Sequence, residues 1–145
     1  MNQVALDFIK AREACRLVAY IPIRGDRPTI GWGATGADIV LGLTWTQAQA
    51  DADLARRIGV AQLEVILLTA RLRPTEQQQA ALISFEYNCG EGALKTSHLL
   101  QFVLARNWIQ AAKAFLQFDH VNGTELQGLL KRRMEEAALF LEGTA

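Results

Sequence analysis

Residues 13–36 read EACRLVAYIPIRGDRPTIGWGATG, and their texture differs from that of the chain on either side. Branched and aromatic residues are interrupted by proline and glycine, as in short strands joined by tight turns. We therefore predict a small, twisted antiparallel sheet within residues 17–36.

The segment before this stretch has helical periodicity. Four apolar residues fall on one stripe: Val4, Ala5, Phe8 and Ile9. This spacing predicts an amphipathic helix over about residues 2–13 that ends near Glu13. Glu13 then lies where the helix meets the sheet, a position that suits a general acid, although glutamate at a helix end is ordinarily just a surface residue.

A long helix is predicted after the sheet. Thr44 and Gln47 have the spacing of a capping box and predict its start, and Pro74 requires its end, while Gly59 favours a kink. The residues predicted to face the core are Leu54, Ile58, Leu63, Ile66, Leu67 and Ala70.

The rest of the chain is also helical in pattern. Thr75 and Gln78 repeat the capping spacing and predict a helix that ends before Gly90, with shorter helices over residues 96–105 and 107–117. A turn is predicted at Asn122-Gly123, and Thr124 with Gln127 is predicted to cap the last helix. Its predicted core face is Leu126, Leu129, Leu130, Met134, Ala137, Ala138 and Leu141.

This order of elements predicts one α+β domain, residues 1–145, with unequal lobes. Its parts are a sheet lobe over about residues 14–58, a connecting helix over about 46–70, and a helical lobe over about 73–145 that includes the N-terminal helix 2–13. A cleft between the lobes is where an extended polymer could lie.

The composition excludes several classes of protein. The 15 basic residues balance the 15 acidic ones, so no long-range field attracts nucleic acid or an anionic membrane. Two cysteines and two histidines predict neither a disulfide scaffold nor a metal site. No apolar run approaches the ~18 residues of a membrane span. The first residues, with Asp7, lack the pattern of a signal peptide, which predicts synthesis in the cytoplasm.

Both halves of the opening stretch resemble the signature of the phage-type lysozymes, glycoside hydrolase family 24. Residues 13–20, EACRLVAY, are similar to the family's Glu-Gly-Leu-Arg-Leu-x-Ala-Tyr, and residues 29–34, TIGWGA, to its Thr-Ile-Gly-Tyr-Gly-His. Residues 45–50, 79–90 and 128–135 are similar to later family segments, in family order. The resemblance implies a lysozyme-like fold.

The same resemblance implies an endolysin that acts as a muramidase. It would hydrolyse the β-1,4 bond between N-acetylmuramic acid and N-acetylglucosamine of peptidoglycan with inversion, as a monomer, without cofactor or metal, and after release through a holin. By resemblance Glu13 is the proton donor, and Thr29 holds the attacking water. On physics alone, Thr29 is simply a good strand former.

The chain departs from the family pattern at the second catalytic group. The family has an Asp nine residues after the glutamate, where this chain has Pro22; counting back six residues from Thr29 gives Ile23. Asp26 is the nearest carboxylate and the provisional base, although a solvated turn residue is an equal interpretation. Ala34 also replaces the family histidine. The alternative function is therefore a degenerate lysozyme-fold domain that binds peptidoglycan or a protein partner without hydrolysis.

Five further residues are candidates for substrate binding: Trp32, Tyr87, Asn88, Arg132 and Arg133. Aromatic faces and amides suit carbohydrate surfaces, and one arginine could face the cleft and pair with Glu13. Core positions for the two aromatic residues and a solvated face for the arginines are the alternatives.

Overall fold

The computed structural model describes residues 1–118, 120–121, 124–125 and 127–145. Its elements are α1 (Gln3–Lys10), β1 (Arg16–Tyr20), β2 (Thr29–Gly31), α2 (Gln47–Leu68), α3 (Glu76–Cys89), α4 (His98–Leu104), α5 (Trp108–Phe115), a 3-10 helix (Leu116–Phe118), β3 (His120–Val121), β4 (Thr124–Glu125) and α6 (Gln127–Glu142). The predicted α+β class is confirmed. The predicted turn at Asn122-Gly123 and the core position Leu126 lie outside the described residues.

The first sheet is small and irregular. β1 and β2 are antiparallel, with Arg16 opposite Gly31 and Tyr20 opposite Thr29, so β1 has extra residues between the two pairs and bulges. Its own core is formed by Ala19, Ile30, Ala34 and Ile39, against which Leu43 and Trp45 pack. So few buried residues make this lobe dependent on the helices beside it.

Helix α1 is shorter than predicted. Asn2 caps its start, since its side chain accepts a hydrogen bond from the Ala5 N–H at 2.9 Å. The helix ends at Lys10, and the N–H of Glu13 donates to Ile9 O beyond that end. The predicted end near residue 13 is therefore wrong, and Glu13 lies in the turn that leads to β1.

The start of α2 is also displaced from the prediction. The capping box is formed by Thr46 and Gln49, whereas Thr44 lies in a β-bridge with Val18. Both threonine–glutamine pairs have the correct spacing, and the pairing of Thr44 with the sheet decides between them. The predicted box of Thr75 with Gln78 is confirmed for α3.

The buried face of α2 consists of smaller residues than predicted. It is formed by Ala50, Leu54, Ile58, Ala61 and Val65. Leu63, Ile66, Leu67 and Ala70, which were predicted to face the core, are exposed. Strict helical spacing from Leu54 and Ile58 leads to Ala61 and Val65, and side-chain size alone was misleading.

Helix α6 presents charged residues to the interior. Arg132, Arg133 and Glu136 are buried beside Ala137 and Phe140. Met134 and Ala138 are exposed, so their predicted core positions are wrong. Charged side chains are tolerated on this face because Arg132 and Arg133 both pair with Glu136 there.

Helix α3 is the centre of the larger lobe. It packs against α1, α2 and α6, and eight of its residues are buried. Nowhere in the described ranges is a helix both long enough and apolar enough to span a membrane.

The end of α6 passes so close to the start of α3 that residue 143 has no room for a side chain. A Cβ on Gly143 would overlap Thr75 Oγ1 and lie 3.0 Å from Gln78 N. We expect Gly143→Ala to lower the free energy of unfolding by ~1–3 kcal/mol, measured by urea denaturation.

Gly59→Ala is the matched control. Gly59 lies inside α2, and apart from the adjoining backbone of the helix itself, nothing lies within 4 Å of an added Cβ. Because alanine favours the helix, this variant should be stabilised by up to ~1 kcal/mol. Equal effects of the two substitutions would contradict the packing described for Gly143.

Candidate active site

Glu13 lies where the end of the first helix meets the sheet and the last helix. Its side chain is 24% exposed, and its Oε1 accepts a hydrogen bond from Arg132 Nη1 at 2.9 Å. Its other oxygen, Oε2, would be 4.0 Å from a Cβ placed on Gly33, so the backbone of the sheet lobe comes close. The carboxyl group is thus anchored on one oxygen and open on the other.

A cleft of about 510 Å³ opens beside this carboxyl group. It is lined by Ala11, Arg12, Glu13, Asn88, Gly128, Leu129, Lys131, Arg132 and Glu135. Most of these are polar, and both charge signs are present, which suits a neutral ligand rich in hydroxyl and amide groups. A second groove, of about 460 Å³, lies between α2 and the end of α3 and does not include Glu13.

The two arginines of the last helix are buried rather than solvated. Besides Glu13, Arg132 binds Ser84 Oγ through Nη2 at 3.2 Å and Glu136 Oε1 through Nε at 3.3 Å. Arg133 donates to Asn88 Oδ1 at 2.7 Å and to Glu136 Oε1 at 3.0 Å. The structure therefore links Glu13, through Arg132, to charges inside the protein.

The sequence reasoning missed Ser84 and Glu136. Ser84 Oγ donates to Glu136 Oε1 at 2.6 Å, and both residues are fully buried. Burial raises the pKa of Glu136, while Arg133, Ser84 and Arg132 act in the opposite direction. The signal that could have found Glu136 is its spacing, three and four residues after the two arginines, which places it on their face of the helix.

Trp32 and Tyr87 connect the two lobes. The indole N–H of Trp32 donates to Asp51 Oδ1 at 2.8 Å, and Lys10 Nζ lies 5.4 Å from its ring centre. Its carbonyl accepts hydrogen bonds from Arg57 Nη2 at 3.1 Å and Tyr87 Oη at 3.3 Å. Burial raises the pKa of Tyr87, so its hydroxyl stays neutral in this contact. Both aromatic residues are half-buried, with their polar atoms bonded to protein.

Asn88 is exposed at the end of α3 and lines the cleft. Its side-chain oxygen accepts the bond from Arg133, which fixes the amide. The exposed amide is therefore held in a defined direction beside Glu13.

Thr29 and Asp26 make local contacts in the hairpin. Thr29 is buried, and its hydroxyl donates to Arg27 O at 3.2 Å. Asp26 is exposed and accepts a bond from the Arg27 N–H at 2.9 Å, in a turn that Gly25 permits with φ +85°. Both side chains therefore bond to Arg27 within the β1–β2 hairpin.

Neither of the two positions that correspond to the family aspartate has a carboxyl group. Pro22 and Ile23 are both exposed in the hairpin, and Ile23 is 71% exposed. Within the ranges that the structure describes, no cluster of three or more His, Cys, Asp or Glu side chains could hold a metal ion.

Comparison with known proteins places these features in a family. The sequence matches the Phage lysozyme family over residues 10–136. An endolysin of Bacillus phage B103 is 35% identical over 99% of this chain and 54% of its own length. An endolysin of Acyrthosiphon pisum secondary endosymbiont phage 1 is 37% identical over 97% of both chains.

Comparison with solved structures leads to the same family as the sequence comparison. The crystal structure of the active form of the P1 phage endolysin Lyz has a TM-score of 0.85 and 25% identity, covering 99% of this chain and 85% of that one. The chain spans little more than half the length of some related endolysins and nearly all of others. By its sequence and its fold, this chain belongs to the phage lysozyme family.

Proposed function

We propose that this chain is a muramidase that hydrolyses the β-1,4 bond between N-acetylmuramic acid and N-acetylglucosamine in bacterial peptidoglycan and so causes cell lysis. The observation that carries the proposal is the partly exposed carboxyl group of Glu13, which is held by Arg132 at the edge of an open polar cleft. Membership of the phage lysozyme family supports the same reaction.

Glu13 is the proton donor of this reaction. Cleavage requires an acid within hydrogen-bond reach of the glycosidic oxygen. Because Arg132 binds Oε1, the oxygen that reaches the substrate is Oε2, on the side of Gly33. A glycine at that position lets a sugar ring approach without meeting a side chain.

Water attack on the opposite face of the sugar requires a second group. Thr29 positions the water and Asp26 is the base, and each must exchange its contact with Arg27 for one with the water. Apo contacts of catalytic groups often change when substrate binds, so a local shift of the hairpin is sufficient. An inverting pair of carboxyl groups is ~6.5–9.5 Å apart, and this is the separation that the shift must produce.

The remaining candidates hold the glycan strand. Asn88 offers its amide to a sugar, and Arg133 supports it from the interior. Trp32 and Tyr87 offer ring surface, since their polar atoms already bind protein. The chain acts as a monomer, and it reaches the cell wall after release through a holin.

The proton donor can be tested by clearing of purified cell walls. We expect Glu13→Gln to lower the rate ~100- to 10,000-fold, because an amide cannot protonate the leaving oxygen. Glu142→Gln, on the last turn of α6, is the control and should clear walls at the native rate. Equal clearing by the native and Glu13→Gln proteins would exclude Glu13 as the acid.

The same assay separates the muramidase from a wall-binding domain. If neither the native chain nor Glu13→Gln clears walls, and both sediment with them, the chain binds peptidoglycan without hydrolysis. The arrangement of Thr29 and Asp26 motivates this alternative, because both side chains bond to Arg27 inside the hairpin.

The proposed base makes a separate prediction. Asp26→Asn should lower kcat ~100-fold or more and change KM little, because the carboxylate acts on water rather than on sugar. Asp38→Asn, another exposed aspartate of the sheet lobe, is the control and should keep the native kcat. Undiminished turnover of Asp26→Asn would remove Asp26 from the mechanism.

A further inference from the structure

Glu136 is a fully buried carboxyl group that the proposed reaction does not use, and one side chain separates it from the proton donor. Its Oε1 accepts hydrogen bonds from Ser84, Arg132 and Arg133. Its Oε2 lies 2.8 Å from Arg133 Nε, an ion contact whose angle is not that of a hydrogen bond. Burial raises the pKa of Glu136, but these neighbours all present hydrogens to the carboxyl group, and such an arrangement favours its charged form.

Arg132 connects the two carboxyl groups. Nη1 donates to Glu13, Nε donates to Glu136, and Nη2 donates to Ser84 Oγ, which itself donates to Glu136. Each guanidinium nitrogen therefore has an acceptor. Because the guanidinium group is planar, the contacts on its buried side fix the direction in which Nη1 points at Glu13.

The buried cluster has one positive charge more than it has negative charges. Arg132 and Arg133 are cations and Glu136 is the anion, so these three side chains carry one net positive charge. Arg132 is the member of the cluster that pairs with Glu13. A neighbouring cation favours the charged form of a carboxyl group, whereas a proton donor must keep its proton at the working pH. Arg132 divides its charge between the two carboxyl groups.

Other titratable groups also lie near the two carboxyl groups. Around Glu13 the cleft also has Arg12, Lys131 and Glu135, of which Arg12 and Glu135 pair at 2.7 Å. Tyr87, on α3, interacts electrostatically with Glu13. From the sheet lobe, the uncharged Gly33 lies near Glu13. Cys89 lies beside Arg133 and Glu136. Among the described contacts, the ion pair of Glu13 is with Arg132.

We propose that Glu136 is a positioning residue for the reaction: with Ser84 it fixes Arg132 against Glu13 and shares the charge of Arg132 with the proton donor. The inference rests on the proposed muramidase function. The coupling between the two carboxyl groups can nevertheless be measured in a protein that hydrolyses nothing.

The test follows the titration of Glu13 itself. Protein labelled with ¹³C at glutamate side chains is titrated by NMR, and the Glu13 resonance is assigned as the one lost in Glu13→Gln. In Glu136→Gln the charge of Arg132 acts on Glu13 alone, so the titration midpoint of Glu13 should fall. The alkaline limb of the pH–activity profile for wall clearing should move to lower pH by the same amount.

A second variant predicts the opposite sign. Arg133→Gln removes one cation from the cluster, so Arg132 becomes the only cation that pairs with Glu136 there. The titration midpoint of Glu13 should therefore rise. Phe140→Leu is the control for loss of packing, because Phe140 is fully buried on the same helix and uncharged. It should lower the melting temperature without moving the midpoint.

The outcomes are distinguishable. Unchanged Glu13 midpoints in the folded variants, or an equal shift in Phe140→Leu, would overturn the role of Glu136. If Glu136→Gln does not fold, a rise of the midpoint in Arg133→Gln supports the proposal, and no change overturns it. If the midpoints move as expected but the native chain clears no walls, the coupling stands and the muramidase proposal fails.

Discussion

The ion cluster between α3 and α6 is the constraint on which the rest of the molecule depends. Charged groups without access to water are tolerated only when their partners satisfy them, and removal of one partner leaves an uncompensated charge. Arg132 and Glu136 therefore have to meet Ser84 on α3, while Arg133 pairs with Glu136 and with Asn88 at the end of α3. These contacts fix how the last helix lies on the central one. The position of Glu13 follows, because its carboxyl group completes the cluster from outside.

Much of the fold could be predicted from the sequence. The order of helix, sheet, long helix and helical cluster followed from periodicity and from turn residues, and the capping box at Thr75 was located correctly. The errors have two physical causes. The buried face of α2 follows strict helical spacing, and large apolar residues on its surface, such as Leu63, misled the prediction. The start of α2 depended instead on a distant contact, because Thr44 pairs with Val18 in the sheet, and a local pattern does not contain such a contact.

The candidate site was predicted unevenly for the same reason. Glu13 stood out because several family-like residues surround it in the sequence. Glu136 and Ser84 are far from it along the chain and meet it only through Arg132, so no local motif connected them. For Asp26 and Thr29 the structure without substrate adds little to the sequence, because their contacts are local. Their proposed roles depend on the substrate-bound state.

The contacts of Trp32 determine how the two lobes behave together. Its ring, its indole N–H and its carbonyl contact α1, α2 and α3, while the sheet lobe has a small core of its own. A lobe with so little buried surface has no stability once these contacts are broken. Sheet and helices should therefore melt in a single cooperative transition rather than as two independent folding units.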